Sequence, residues 1–306
     1  MFAPPPSIKA EVFTRIPDRY RKAGQLSAER LRAGKGTTAT DSYIEGPSFD
    51  RQGNLYLVDI AFGLVFRVSP AGEVEQIAEY DGEPNGLKIH RDGRIFVADH
   101  KNGLLLLDAA SGRIEPLVPR FRTEGFKGLN DLFFTSGGDL YFTDQGQTGL
   151  QDPSGRVYRR AADGPVECLL DNVPSPNGIV MNPAQTLLYL AATRGNCIWR
   201  AMVLPDGSLT RVGLFIQLTG GTGPDGLAVD REGNLFVAHT GLGAVWMFSP
   251  KGVPLLRIDS PTHHSSTTNL AFGGPDNRNL YITESESGTV LVARMDIPGQ
   301  PMFSHL

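Results

Sequence analysis

A short segment returns six times along the chain, and that return limits the fold more than any other feature. The copies are EGPSFDRQGNLYLVD from Glu45, NGLKIHRDGRIFVAD from Asn85, NDLFFTSGGDLYFTD from Asn130, NGIVMNPAQTLLYLAAT from Asn177, DGLAVDREGNLFVAH from Asp225 and NLAFGGPDNRNLYITE from Asn269. Their starts lie 40 to 48 residues apart. Each copy reads as an apolar run, a Gly/Asp/Asn-rich turn and an alternating strand, the pattern of a hairpin. Two further strand-like runs usually follow, as AVWMFS and VPLLRI do after NLFVAH. Helical periodicity is confined to SAERLRAG. Four short antiparallel strands repeated six times predict an all-β fold, a six-bladed β-propeller with a central channel, forming one domain over residues 1–306. A sandwich or two unrelated β domains fit this period less well. In the lead-in, residues 1–43, AEVFTRI is expected to add a strand to the last blade after TVLVARM, closing the ring and protecting its edges.

Composition narrows the partners. With 29 Lys and Arg against 33 Asp and Glu, the chain has a formal charge of −4 and no basic run, so no nucleic-acid partner is expected. No stretch approaches the roughly 18 apolar residues of a membrane span, and the N-terminus lacks the apolar core of a signal peptide. A soluble, cytoplasmic protein without a membrane partner is the expectation. Cys168 and Cys197 are the only cysteines and have no CxxC spacing, so both are expected to be buried free thiols.

The first positions of the six copies, Glu45, Asn85, Asn130, Asn177, Asp225 and Asn269, all carry a side-chain oxygen acceptor. Singly, PNG and PDG are common turn words. Six in register, including Glu45, which has no turn preference, point instead to a site, because the inner strands of a propeller line its channel and equivalent positions share one height. The six oxygens are therefore expected to converge on one channel mouth. Hard oxygen donors suit Ca²⁺ or Mg²⁺ better than a softer ion, with divalent transition metals left open. Without a cation, facing carboxylates would repel and one would have a raised pKa.

Four motifs, EGPSFD with Glu45, GLNDLFF with Asn130 and Asp131, SPNGIVM with Asn177 and GPDGLAVDREGNLFVAH with Asp225, resemble those of the gluconolactonase and regucalcin (senescence marker protein) family of six-bladed propellers. GDLYFTDQGQTG and NLAFGGPDNRNLYIT support the match, which runs from about residue 44 to 290. The resemblance implies that Glu45, Asn177 and Asp225 hold one divalent cation, with Ca²⁺ favoured and Zn²⁺, Mg²⁺, Mn²⁺ or Fe²⁺ as alternatives. It implies that Asn130 contacts substrate or joins the coordination shell, and that the activity is hydrolysis of sugar or related small lactones. One departure stands out: regucalcin-type members carry an arginine two residues ahead of the matching asparagine, where this chain has Gly128.

The resulting reading is a metal-dependent lactonase in which Asp225 binds the cation and accepts a proton from the attacking water. The alternatives are a phosphotriesterase-like hydrolase and a non-catalytic calcium-binding or interaction propeller. Asp131 takes a slot filled by Gly in four copies and Leu270 in another, and is expected to position substrate beside Asn130. His239 and His100 follow strand ends and are candidates for substrate contact or proton shuttling at the pocket border. His263 and His264 are placed to cover the mouth. Asp59, Asp99 and Asp144 recur at strand ends and are expected to hold the loops that follow. No GxSxG elbow or Walker loop occurs.

Overall fold

The inner and second strands of this chain are buried along almost their whole length, because each blade is covered on both faces by its neighbours. In the computed structural model, which describes residues 4–306, the innermost strands are Ile44–Phe49, Pro84–Ile89, Leu129–Phe134, Pro176–Met181, Gly223–Val229 and Thr267–Gly273. Each packs on the next, and the sixth packs on the first, so the ring closes. Each belongs to a sheet of four or five strands, giving a six-bladed propeller. Second strands such as Leu55–Asp59 and Leu140–Asp144 are wholly buried, whereas the outer strand Arg113–Val118 has no buried residue.

The core lies between blades. Phe236 and Val245 of blade five meet Leu270 and Leu280 of blade six, and Leu57 and Phe66 of blade one meet Ala271 and Tyr281 of blade six. Each such Phe or Leu removed from water contributes roughly 1.5–3 kcal/mol. These contacts run around the whole ring, so no blade is an independent folding unit.

Closure uses the chain's beginning. Blade six has three strands of its own, Thr267–Gly273, Asn279–Glu284 and Thr289–Arg294, and Glu11–Arg15 completes it by antiparallel pairing, Glu11 opposite Val292 and Arg15 opposite Thr289. The residues just before behave differently from expectation. Ser7–Lys9 runs parallel to Pro254–Asp259 as a fifth strand of blade five. The lead-in thus staples two blades and covers both outer edges. At the other end of the inner strands the C-terminal segment lies across the ring. Gln300 N donates to Val229 O at 2.9 Å, Ser304 Oγ donates to Phe49 O at 2.9 Å, and the Phe303 ring stacks on Phe134 at 5.2 Å.

Of the recurring aspartates, Asp59 and Asp99 hold the loops beyond their second strands, whereas Asp144 holds the segment that leads into its blade's inner strand. Asp59 accepts from Ser42 Oγ, Tyr43 N and Ala61 N, Asp99 from Tyr80 OH, Lys101 N and Asn102 N, and Asp144 from Gly128 N. Cys197 is buried, but Cys168 is exposed, because it sits on the outer strand Val166–Val173, one face of which meets solvent. The helical stretch of the lead-in is Ala28–Arg32, capped by Ser27 Oγ, which accepts from Arg30 N at 3.2 Å. Among the described residues no helix is long and apolar enough to cross a membrane.

Candidate active site

The polar ring sits inside strands, not in turns. All six innermost strands break register at this place: between Glu45 and Ser48, Pro84 and Gly86, Leu129 and Leu132, Pro176 and Ile179, Pro224 and Leu227, and Thr267 and Asn269. A bulge takes a residue off the regular ladder and re-aims its side chain. The breaks fall at or beside the polar positions, five of which line the cavity at the mouth, while Asn269 does not. The glycine that follows most of them is a packing requirement there. A Cβ on Gly46 would lie 2.5 Å from Asn85 O, and one on Gly178 would lie 2.3 Å from Asp225 O. Gly178→Ala is therefore expected to push the Asp225 backbone aside, costing about 1–3 kcal/mol of stability. Thermal denaturation checks this, and an unchanged midpoint would contradict it.

Glu45, Asn85, Asn130, Asn177 and Asp225 line one cavity of about 990 Å³ at this mouth. Asn269 stands behind the wall, where its Nδ2 donates to Glu45 Oε2 at 2.9 Å. Gly46 N donates to the same oxygen at 2.9 Å. Asn130 is oriented by a relay: its Nδ2 donates to Gln145 Oε1 at 3.0 Å, and Gln145 Nε2 donates to Ser175 Oγ at 3.0 Å. That leaves Asn130 Oδ1 for the cavity.

The electrostatics are those of crowded, desolvated carboxylates. Burial raises the Glu45 pKa to about 7, with the Asp131 charge adding to the effect and the bonds from Gly46 and Asn269 partly offsetting it. Burial also raises Asp225 well above the usual carboxylate range, followed by the charges of Glu45 and Asp131. Asn177 Oδ1 is buried and has no hydrogen-bond partner among the described residues. A buried unpaired acceptor costs about 1–3 kcal/mol. Two carboxylates, an orphaned amide oxygen and a second amide oxygen form a hard-donor set that fits an oxygen-seeking divalent cation. Among the described residues no three His, Cys, Asp or Glu side chains converge as ligands, so any cation here would take its remaining donors from amides.

Two expected residues lie elsewhere. Asp131 is buried but does not line the cavity. Asp131 shares the bulge with Asn130, accepts from Leu132 N at 2.8 Å and faces Lys88 Nζ at 3.8 Å. His239 is also buried away from the cavity wall, with both ring nitrogens occupied. Trp246 Nε1 donates to its Nδ1 at 3.2 Å, and its Nε2 donates to Gly220 O at 3.0 Å. A histidine so engaged is not poised to shuttle protons.

His100 does line the cavity, as does His264. Burial, then the neighbouring Lys35 charge, lowers the His100 pKa to about 4, so the ring is neutral. Its Nε2 lies 2.9 Å from Lys35 Nζ. A Cβ on Gly128 would fall 2.1 Å from His100 Cε1, so the imidazole occupies the space that a side chain at position 128 would need. The repeat did not point to Arg30, Lys35, Glu83, Arg194 or Glu286, which also line the cavity. Only the helical stretch SAERLRAG hinted that the lead-in had structure of its own.

Comparison with known proteins agrees with this architecture. The family model described as "SMP-30/Gluconolactonase/LRE-like region" matches residues 44–286. Lactonase drp35 of Staphylococcus aureus (strain MW2) is 32% identical over 261 residues, covering 79% of this chain and 78% of that protein. A gluconolactonase of Xanthomonas campestris superposes with a TM-score of 0.73 at 24% identity, covering 96% of this chain and 98% of that one. A calcium-binding protein, regucalcin, from Agrobacterium tumefaciens str. C58 gives 0.76 at 24% identity, with 100% and 99% covered. The two structures share the fold, and the match to the family model over most of the chain settles its kinship: the protein belongs to the SMP-30/gluconolactonase/LRE-like family.

Proposed function

We propose that this protein is a divalent-cation-dependent lactonase that opens the ring of a sugar-type aldonolactone or a related small lactone. The observation that carries the reading is the pairing of Glu45 and Asp225 across a cavity floor where Asn177 Oδ1 lacks a partner. Glu45, Asn177 and Asp225 would hold the cation, with Asn130 joining them or contacting substrate. Ca²⁺ suits the donor set best, while Mg²⁺, Mn²⁺, Zn²⁺ and Fe²⁺ share the same charge. When bound, such an ion supplies positive charge to the lactone carbonyl oxygen and to the oxyanion that follows.

The chain's own groups account for the rest. Asp225 accepts a proton from the water that adds to the carbonyl carbon. The ring C–O bond then breaks, and the proton passes to the departing ring oxygen to give the open hydroxy acid. Asn130, fixed through Gln145, presents its Oδ1 to a substrate hydroxyl. The membership of this family and the lactonase relatives support the choice of reaction.

A pH-stat screen tests it, with aldono-, aromatic and simple γ- and δ-lactones and each cation added in turn. Steady acid release that stops on chelation is the expected result. Silence across the panel would favour a binding propeller, and turnover of paraoxon without lactone turnover would favour a phosphotriesterase.

A further inference from the structure

The blade-two and blade-three side of the cavity carries positive charge that ring opening does not use. Arg30 lines the cavity, yet only 5% of it is exposed. Its Nη1 lies 2.9 Å from Glu83 Oε2, but the N–H bonds are misdirected, and neither Nη1 nor Nε makes a hydrogen bond among the described residues. Lys35 Nζ sits 3.4 Å from the same Glu83 oxygen. Two cations therefore share one carboxylate, and the adjoining His100 is neutral. Burial, then the nearby Arg30 charge, holds the Lys35 pKa below its ordinary value, with Glu83 opposing the shift. Burying a guanidinium without its hydrogen bonds is costly unless an anion completes them.

The wall is also distinct from the cation floor. Glu83 stands two residues before Asn85, and His100 packs under Gly128, two residues before Asn130, whereas Glu45 and Asp225 belong to blades one and five. A cavity of about 990 Å³ has room for a lactone ring with a substituent reaching from floor to wall.

We propose that Arg30 and Lys35, with His100 beside them, form a subsite for an anionic substituent of the substrate, so that the preferred lactone carries a carboxylate or phosphate in addition to its ring ester. The assignment rests on the lactonase reading. Arg30 supplies a planar fork suited to a carboxylate or phosphate, and Lys35 a point charge. His100 fills the volume above Gly128 and turns an acceptor nitrogen to Lys35, holding the ammonium over the cavity.

The test compares kcat/KM for glucono-δ-lactone, its 6-carboxylate analogue and its 6-phosphate analogue, in wild type, Lys35→Ala and Arg30→Gln. Wild type is expected to favour at least one acidic lactone by tenfold or more, and which one identifies the anion. Lys35→Ala should lower the acidic-to-neutral ratio of kcat/KM by at least tenfold through KM. Lys35 is only half-buried, so this variant keeps the question answerable if Arg30→Gln fails to fold. Equal rates on neutral and acidic lactones in wild type, or a ratio that Lys35→Ala leaves unchanged, would overturn the subsite while leaving the lactonase reading intact. If no lactone is turned over, calorimetric titration of the same variants with glucarate decides the subsite independently. Binding weakened tenfold by Lys35→Ala supports it, and equal binding or none overturns it.

Discussion

The Asp225→Asn variant is expected to retain its cation and lose a factor of about 10² or more in kcat, the usual scale for removing a general base. The substitution keeps an oxygen donor and the shape of the side chain but leaves nothing basic at that point. Asp225 is suited to the role because burial and the facing Glu45 raise its proton affinity, so in the free site it takes up a proton readily. A bound cation lowers that affinity, and the base then acts as the water it faces becomes more acidic. Metal analysis and steady-state rates on the same preparation decide the matter. Near-normal turnover by a cation-loaded Asp225→Asn protein would remove Asp225 from the role and pass it to Glu45.

In the presence of a chelator, the protein should become less stable as pH rises from 6 to 8. Glu45 binds its proton more tightly when folded, at a pKa of about 7, than in the unfolded chain, where a glutamate has a pKa of about 4.3. Between those values the native state holds the extra proton, so stability is lost as pH rises through the window, by at most about 1.4 kcal/mol per pH unit for one proton. A divalent cation in place of the proton should reverse the trend, because its stabilisation, RT ln(1 + [L]/Kd), grows as protons stop competing. Glu45→Gln should flatten the chelated profile, since it removes this proton and relieves the repulsion on Asp225. Melting curves at fixed ionic strength read the slopes. A chelated wild-type protein that is equally stable at pH 6 and pH 8 would mean that the carboxylates are not crowded as described.

The six-bladed ring was legible because the repeat carries it. Every inner strand must bury both faces and every second strand must pair on both edges, and few sequences satisfy that at a fixed interval. Glu45, Asn130, Asn177 and Asp225 were legible for the same reason, since register in the repeat became height in the channel. The local reading of N-G and D-G as turn words was wrong in kind. Those glycines lie within strands, where neighbouring backbones approach too closely for a side chain. Asp131 was misplaced because adjacency to Asn130 in sequence was taken for adjacency in the pocket, and His239 because a strand end was taken for the pocket border. Asp131 faces Lys88, and His239 has its hydrogen bonds filled by Trp246 and Gly220. Arg30, Lys35 and Glu83 could not be found by stacking copies, for two of them stand outside the repeat and meet the third only after the lead-in crosses the mouth.

The stapling of blades five and six by the first strands also bears on how the molecule is made. Ser7–Lys9 and Glu11–Arg15 precede all six blades in the chain, and their partners, Pro254–Asp259 and Thr289–Arg294, belong to the fifth and sixth. Contacts spanning nearly the entire chain form slowly, and the intermediate that awaits them exposes strand edges. In a ring left open there, Glu45 would stand at one tip without the Asn269 amide that holds it or the Asp225 whose charge it meets. The proposed cation site straddles this seam, so its affinity belongs to the closed ring alone. Uptake of the ion would then mark the final event of folding, and its loss would favour reopening at the joint that the lead-in strands close.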